Sequence, residues 1–232
     1  VLFRSQKCLK GWADSIWDVG IKFGTVGAKV KDYVFEITTY RTEQYEDTSR
    51  KPSVEFGKTL EEDLARRDFT INAMALELTT PEPTFIDLFN GVGDLQNKLI
   101  KTPGKAEESF SDDPLRMMRA ARFMSQLKFE IDSSVLTAIK SMATRLEIIS
   151  FERIRDEFIK ILMSPSPRIG ITVLVETGLA DYFLPEVPKL KLEIDEHHHH
   201  KDVYEHSLTV LEQAIGLESR LDGPNLTLRL AA

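Results

Sequence analysis

The chain has 232 residues and a formal net charge of −7, with 42% apolar and 29% charged residues, the composition of an ordinary globular protein. No stretch approaches the roughly 18 uncharged apolar residues that a membrane helix requires, and the single cysteine, Cys8, excludes an internal disulfide framework. These features predict a cytoplasmic protein with no membrane partner, and the acidic charge argues weakly against nucleic acid, because phosphate binding usually comes with a basic surface.

The first part of the chain reads as a small α/β unit. Alternating, β-branched residues predict two strands joined by a short turn, within 21–26 and 33–38. The polar stretch 42–56 predicts a loop. Thr59 is placed to cap a helix, and Glu62 three residues later completes a capping box.

Beyond residue 104 the pattern becomes almost wholly helical. Ser111 or Asp112 can cap a helix that has Pro114 in its first turn, and the apolar residues that follow keep a period near 3.6. Proline-rich segments separate the later helices. These are predicted at 133–144, 151–163, 169–177 and 203–217.

Residues 66–75 read RRDFTINAMA and are the most informative stretch. The adjacent guanidinium groups of Arg66 and Arg67 can hold phosphate oxygens, and the carboxylate of Asp68 can accept hydrogen bonds from ribose hydroxyls. Arg-Arg-Asp alone is more often a solvated charged turn before a buried helix. The ten residues together, however, resemble the ribose-recognition motif of the class II nucleotidyltransferases, the family of the CCA-adding enzymes and bacterial poly(A) polymerases.

Residues 112–123, DDPLRMMRAARF, give a second match to this family. Arg116 and Arg119 share a helix face, Arg122 lies one step further round, and Asp113 near the helix start can pair with Arg116. From the residues alone, an ion-paired surface helix is the alternative. The resemblance implies that Asp113 and Arg116 read the Watson–Crick edge of the incoming base, and it adds Arg119 and Arg122 to the nucleotide-binding set.

Two weaker matches concern the metal site and a hinge. The resemblance places Glu36 on a strand that brings a further acidic side chain to the catalytic metals, although an exposed strand glutamate is as good an interpretation.

The segment DLFNGVGDL resembles the flexible element between head and neck, with Gly91, Gly93 and Asp94 as the hinge. A plain hairpin or loop is its alternative.

The last part of the chain resembles a helix of the same family and the start of a second domain. Residues 150–162 are similar to a neck helix that braces the nucleotide helix, and we expect packing and no chemistry there. Residues 201–208, KDVYEHSL, resemble the opening of an HD phosphohydrolase domain, in which His206 would be the first metal ligand. The sequence lacks the later His-Asp dyad of such a site. Four consecutive histidines at 197–200 could also bind metal.

The family's catalysis depends on a Gly-Gly loop followed by an Asp-x-Asp pair that holds Mg²⁺, and this sequence contains neither element. The resemblance therefore implies Mg²⁺ as the cofactor of a parent enzyme, of which this chain is a fragment truncated at both ends and inactive alone. That enzyme would add CCA to the 3′ ends of tRNA from CTP and ATP.

The implied fold class is α+β. Residues 1–100 would be the C-terminal part of a catalytic head with a mixed sheet and helices. Residues 101–190 would be an all-α neck and body that binds nucleotide and tRNA, and residues 191–232 the beginning of an HD domain. A poly(A) polymerase or a CC- or A-adding enzyme remains open as an alternative, as do an HD phosphohydrolase and an RNA-binding module. The oligomeric state is not predicted.

Overall fold

The computed structural model describes residues 2–17, 25–39, 42–44, 53–55, 59–192 and 202–232. Its strands are β1 (Ser15–Trp17), β2 (Thr25–Val30), β3 (Tyr33–Thr38), β4 (Thr42–Gln44), β5 (Ser53–Glu55), β6 (Met74–Glu77), β7 (Thr84–Asp87), β8 (Leu99–Ile100) and β9 (Glu130–Ile131). Its α-helices are α1 (Leu2–Leu9), α2 (Leu60–Ala65), α3 (Gly91–Gln96), α4 (Ala106–Asp112), α5 (Leu115–Leu127), α6 (Ser133–Met142), α7 (Phe151–Leu162), α8 (Pro167–Glu176), α9 (Glu186–Lys189), α10 (Val203–Leu217) and α11 (Leu226–Ala231).

An antiparallel sheet in the order β1-β2-β3 opens the fold. Val26 and Ala28 point inward from β2 and are fully buried against Leu9 of α1. The predicted hairpin is confirmed, but its first strand lies at Thr25–Val30, not at 21–26, and residues 21–24 lie outside the described residues. The strand extends to Val30 because the tight turn of the hairpin comes only after that residue, where Val30 pairs with Tyr33.

The predicted loop at 42–56 is wrong for the residues that the structure describes there. β4 and β5 form a two-stranded antiparallel pair. Both segments carry β-branched residues, which favour extended backbone.

The start of α2 is confirmed, since the hydroxyl of Thr59 accepts a hydrogen bond from the backbone N–H of Glu62 at 3.2 Å. The predicted cap of the later helix is wrong. Ser111 and Asp112 lie inside α4, because the chain has already become helical at Ala106. Pro114 immediately precedes α5.

Helix α5 is the centre of the core, with Met117 and Met118 fully buried and α7 and α8 packed against it. Gly170 of α8 lets α5 and α8 approach closely, because a Cβ at this position would come within 2.0 Å of Ser125 Oγ in α5. The helices predicted from 133 onward are confirmed, with Pro167 in the first turn of α8. The expected all-helical part also contains β9, which pairs in parallel with β8.

The helix predicted at 203–217 is confirmed as α10. After it, Arg229 of α11 is buried and donates to the backbone carbonyls of Leu162 at 2.7 Å and Ser164 at 2.8 Å. The same guanidinium pairs with Glu218 at 2.7 Å, and its hydrogen bonds lower the pKa of Glu218 to about 2. The last helices are thereby attached to the end of α7. Among the described residues, no helix is long and apolar enough to cross a membrane.

Two helical glycines give a matched test of the packing around α5. We expect Gly170→Ala to destabilise the protein by about 1–3 kcal/mol, because the added methyl has to displace Ser125 and Ile161. Gly216→Ala, which meets nothing within 4 Å in α10, should stabilise by about 0.5–1 kcal/mol. Urea unfolding of both variants measures this, and equal effects would contradict the close α5–α8 approach.

Candidate functional site

A polar cleft of about 610 Å³ lies between β3, the segment after α2, and the first turns of α5 and α7. Five arginines and four carboxylates line it, so cationic side chains slightly outnumber anionic ones. An anionic ligand with several oxygen acceptors would suit such a lining. The lining residues are Glu36, Thr38, Asp63, Arg66, Arg67, Asp68, Asn72, Asp113, Leu115, Arg116, Arg119 and Arg153.

Asp68 and Arg119 form the central contact of the cleft. Arg119 donates through Nε to Oδ2 of Asp68 at 2.9 Å, and its Nη2 donates to the same oxygen. Oδ1 accepts from the backbone N–H of Phe69 at 2.8 Å and from Nδ2 of Asn72 at 3.1 Å. Burial alone would raise the pKa of Asp68, but the charge and hydrogen bonds of Arg119 lower it below its usual value. Asp68 is therefore a buried, ionised group.

Arg116 makes a second connection between α5 and the same turn. Its Nη2 donates to the carbonyl of Arg66 at 2.6 Å, and its Nη1 donates to Oγ of Ser109 at 2.8 Å. Burial lowers the pKa of Arg116, but a guanidinium stays protonated. Its paired N–H groups are thus held in a fixed orientation.

Asp113 is held by two different elements. Its Oδ1 accepts from the backbone N–H of Leu115 at 3.1 Å, and its Oδ2 accepts from Nη2 of Arg153 at 3.2 Å. The carboxylate receives Arg153 of α7, where we expected Arg116. Arg153 is one of the cleft residues that sequence analysis missed. No local signal could have found it, because its neighbours only indicate an amphipathic packing helix.

Arg66 and Arg67 both line the cleft, as the motif predicts. Arg67 pairs with Asp63, one helical turn earlier, at 3.1 Å, and its side chain is about half exposed. Arg66 ends α2 and presents its carbonyl to Arg116.

Arg122 lies elsewhere, against α7. Its Nε is 3.1 Å from Oε2 of the buried Glu157, an ion-pair distance without the alignment of a hydrogen bond. Its guanidinium also lies 4.5 Å from the ring centre of Phe123, and burial lowers its pKa. The lining of the cleft does not include Arg122, and its assignment to nucleotide binding stays a prediction.

Glu36 reaches the same cleft from β3, where its side chain is exposed. Among the residues that the structure describes, no three His, Cys, Asp or Glu side chains are grouped so as to hold a metal ion. These residues therefore do not make up a Mg²⁺ site by themselves. Its role near a metal stays a prediction.

The expected hinge is folded as helix α3, so the hairpin or loop alternative is wrong. The carboxylate of Asp87 accepts from the N–H groups of Gly91 at 2.7 Å and Val92 at 3.0 Å, which also lowers its pKa. Asp94 is buried and accepts from the hydroxyl of Thr70 at 2.7 Å. The capped start and this buried bond stabilise the helix.

A side chain at either expected hinge glycine would meet a neighbouring group, which is backbone only at Gly91. A Cβ at Gly91 would come within 2.3 Å of the Thr70 carbonyl oxygen, and one at Gly93 would meet the side chain of Asn90 at 2.5 Å. Gly91 allows α3 to contact the turn at Thr70. Movement at Gly91, Gly93 and Asp94 stays a prediction.

His206 lies on the exposed side of α10, and its backbone N–H bonds to the carbonyl of Asp202. The histidines at 197–200 lie outside the described residues. A metal role for His206 stays a prediction.

The bond between Thr70 and Asp94 can be tested by removing its hydroxyl. Thr70→Val should cost about 1–3 kcal/mol, because it leaves the buried Asp94 without this donor. The matched change Thr137→Val, on an exposed side of α6, should stay within about 0.5 kcal/mol. Denaturant unfolding compares the two, and similar values would show that the buried bond does not stabilise α3.

Two family models match the chain. "Poly A polymerase head domain" covers residues 3–101, and "Probable RNA and SrmB- binding site of polymerase A" covers residues 128–190. The CCA-adding enzyme of Lactobacillus johnsonii is 46% identical over 172 residues, which are 74% of this chain and 42% of that protein. The CCA-adding enzyme of Enterococcus faecalis is 46% identical over 175 residues, 75% of this chain and 41% of that protein.

Solved structures of CCA-adding enzymes also resemble this chain. The Bacillus stearothermophilus CCA-adding enzyme in complex with CTP matches with a TM-score of 0.67 and 40% identity, over 78% of this chain and 43% of that one. The Thermotoga maritima CCA-adding enzyme complexed with tRNA matches with a TM-score of 0.71 and 25% identity, over 98% and 49%. The chain spans about two fifths of the length of the curated relatives it matches. Over the matched residues, the chain belongs to the family of the CCA-adding enzymes and poly(A) polymerases.

Proposed function

We propose that the protein containing this chain adds CCA to the 3′ ends of tRNA, using CTP and ATP. The observation that carries the proposal is the cleft in which the turn at 66–68 meets Asp113 and Arg116. These two sequence motifs lie more than 40 residues apart, and one ligand could contact both. The homologous enzyme from Bacillus stearothermophilus was crystallised in complex with CTP. CTP is an anionic ligand with several oxygen acceptors, the kind that suits the arginine-rich lining of the cleft.

Each part of such a nucleotide has a matching group in the cleft. Arg66 and Arg67 offer charge-assisted donors to the triphosphate. The turn that contains Asp68 faces the ribose. Arg116 offers paired donors, and Asp113 accepts from the exocyclic amino group that cytosine and adenine share. This arrangement selects a base through its hydrogen-bonding edge without a nucleic-acid template.

We assign tRNA binding to the helical part, within residues 101–190. The support is the second family model, at 128–190, together with the tRNA-bound structure of the Thermotoga maritima relative. The predicted boundaries at 100 and 190 remain part of this proposal, and so does an HD domain beginning near 191.

Mg²⁺ belongs to the proposal as the cofactor of nucleotidyl transfer, which it supports by stabilising charge on the phosphates. Glu36 is the cleft carboxylate that β3 could contribute. The described residues do not compose a metal site alone.

We also propose a cytoplasmic location. Cys8 is exposed and unpaired, as suits a reducing compartment. The tRNA and nucleotide substrates of the proposed reaction would be met there.

The direct test incubates the purified protein that contains this chain with Mg²⁺, labelled CTP and ATP, and a tRNA that lacks its 3′ CCA. Sequencing of the product ends should show addition of C, C and A, followed by termination. A long A tail would make the protein a poly(A) polymerase, the activity that the matching head-domain model names. No addition would refute the proposal.

Base selection should depend on Arg116. Arg116→Ala removes the guanidinium to which we assign base reading, so the ratio of CTP to ATP incorporation should change by roughly tenfold or more, since a good paired contact contributes about 1–3 kcal/mol of discrimination. The matched control Arg155→Ala, on an exposed side of α7, should leave this ratio unchanged. Equal ratios in both variants would reject the template role.

The 232-residue chain by itself should incorporate no nucleotide, because its sequence has no Asp-x-Asp pair. The assay above, run with this chain at high purity, measures this. Turnover that follows the protein through purification would show that other carboxylates serve the reaction.

A further inference from the structure

The carboxylate of Asp68 has no acceptor capacity left for a ligand. An ionised carboxylate offers about four lone-pair sites on its two oxygens. Phe69 and Asn72 donate to Oδ1, while Nε and Nη2 of Arg119 both donate to Oδ2. Asp68 is also only 8% exposed. A ribose hydroxyl could bond to it only by displacing one of these donors.

Displacing Arg119 would be unfavourable. Arg119 forms an ion pair with Asp68 as well as hydrogen bonds, whereas a ribose hydroxyl offers an uncharged donor. The exchange would also remove a cation from a buried anion, which is costly. By contrast, Asp113 receives one bond on each of its oxygens, from Leu115 and Arg153.

The two side chains that Asp68 holds both line the cleft. The bonds to Asp68 use two of the five N–H donors of Arg119, whose side chain is 33% exposed. The amide nitrogen of Asn72 is bonded to Asp68. The acceptor that Asn72 offers to a ligand is therefore its carbonyl oxygen, Oδ1.

We propose that Asn72 and Arg119 contact the bound ribonucleotide, and that Asp68 is a positioning residue that holds them. The Oδ1 atom of Asn72 accepts the hydrogen bond of the ribose 2′-hydroxyl, and Arg119 donates to oxygens of the same nucleotide. This inference rests on the proposed function, because it assumes that a ribonucleotide occupies the cleft. It assigns ribose discrimination to a residue that the sequence motif did not single out.

The experiment measures binding, so that it needs no catalysis. Isothermal titration calorimetry gives the Kd of CTP and of 2′-deoxy-CTP for the 232-residue chain and for its variants. We expect the wild-type chain to prefer CTP, and Asn72→Ala to lower this preference at least fivefold. The matched control Asn97→Ala, at an exposed position after α3, should keep the preference within twofold.

A double-mutant cycle separates a direct role of Asp68 from a positioning role. If Asp68 acts only through its two partners, Asp68→Asn should reduce the CTP preference alone but change it less than twofold when Asn72→Ala is already present. The control Asp132→Asn, at the start of α6, should leave the preference unchanged. Circular dichroism checks that each variant is folded. If Asp68→Asn does not fold, Arg119→Gln replaces it, and non-additivity with Asn72→Ala on CTP affinity is again expected.

Two results would overturn the inference in different ways. If Asn72→Ala keeps the preference for CTP while Asp68→Asn abolishes it, Asp68 reads the ribose itself and only the positioning role fails. If the wild-type chain binds neither nucleotide, the assignment of the cleft as a nucleotide site fails as well, whereas the CCA-addition assay tests the proposed function separately.

Discussion

The ion pair between Asp68 and Arg119 is the contact on which the rest of the site depends. It joins residues that are 51 positions apart and connects the turn after α2 to the central helix α5. The bond from Arg116 to the carbonyl of Arg66 makes the same connection one turn earlier on α5. Because α5 is also packed against α7 and α8, its two cleft arginines, Arg116 and Arg119, are attached to the hydrophobic core. Pre-organised donors of this kind do not have to be ordered when a ligand binds, which saves conformational entropy.

The distribution of charge explains how an acidic chain can suit an anionic ligand. The net charge is −7, yet five arginines converge in the cleft. Several of them have an acidic partner: Asp63 for Arg67, Asp68 for Arg119 and Asp113 for Arg153. These carboxylates relieve the repulsion between neighbouring guanidinium groups and orient them. The cleft lining therefore carries a slight excess of positive charge, although the chain as a whole is acidic.

The different placement of Arg122 follows from helix geometry. Each residue of an α-helix advances by about 100°, so a step of three positions turns the side chain by about 60° in the opposite sense. Arg116 and Arg119 therefore still share a face, while Arg122 is turned by about 120° from Arg116. That rotation brings it against Glu157 of α7. Residues three positions apart therefore share a helix face, whereas residues six positions apart do not.

The sequence by itself determined the helices α6, α7, α8 and α10, the motif at 66–75, the helix cap at Thr59 and the family, because these depend on residues close together in the chain. It did not determine that the segment around Gly91 is a helix, since the bond from Thr70 to Asp94 that stabilises it spans 24 residues. Nor could it show that Arg153 holds Asp113, or that the acceptor sites of Asp68 are filled. Those facts were decided by tertiary structure alone, because a side chain's hydrogen-bond partners depend on which helices the core brings together.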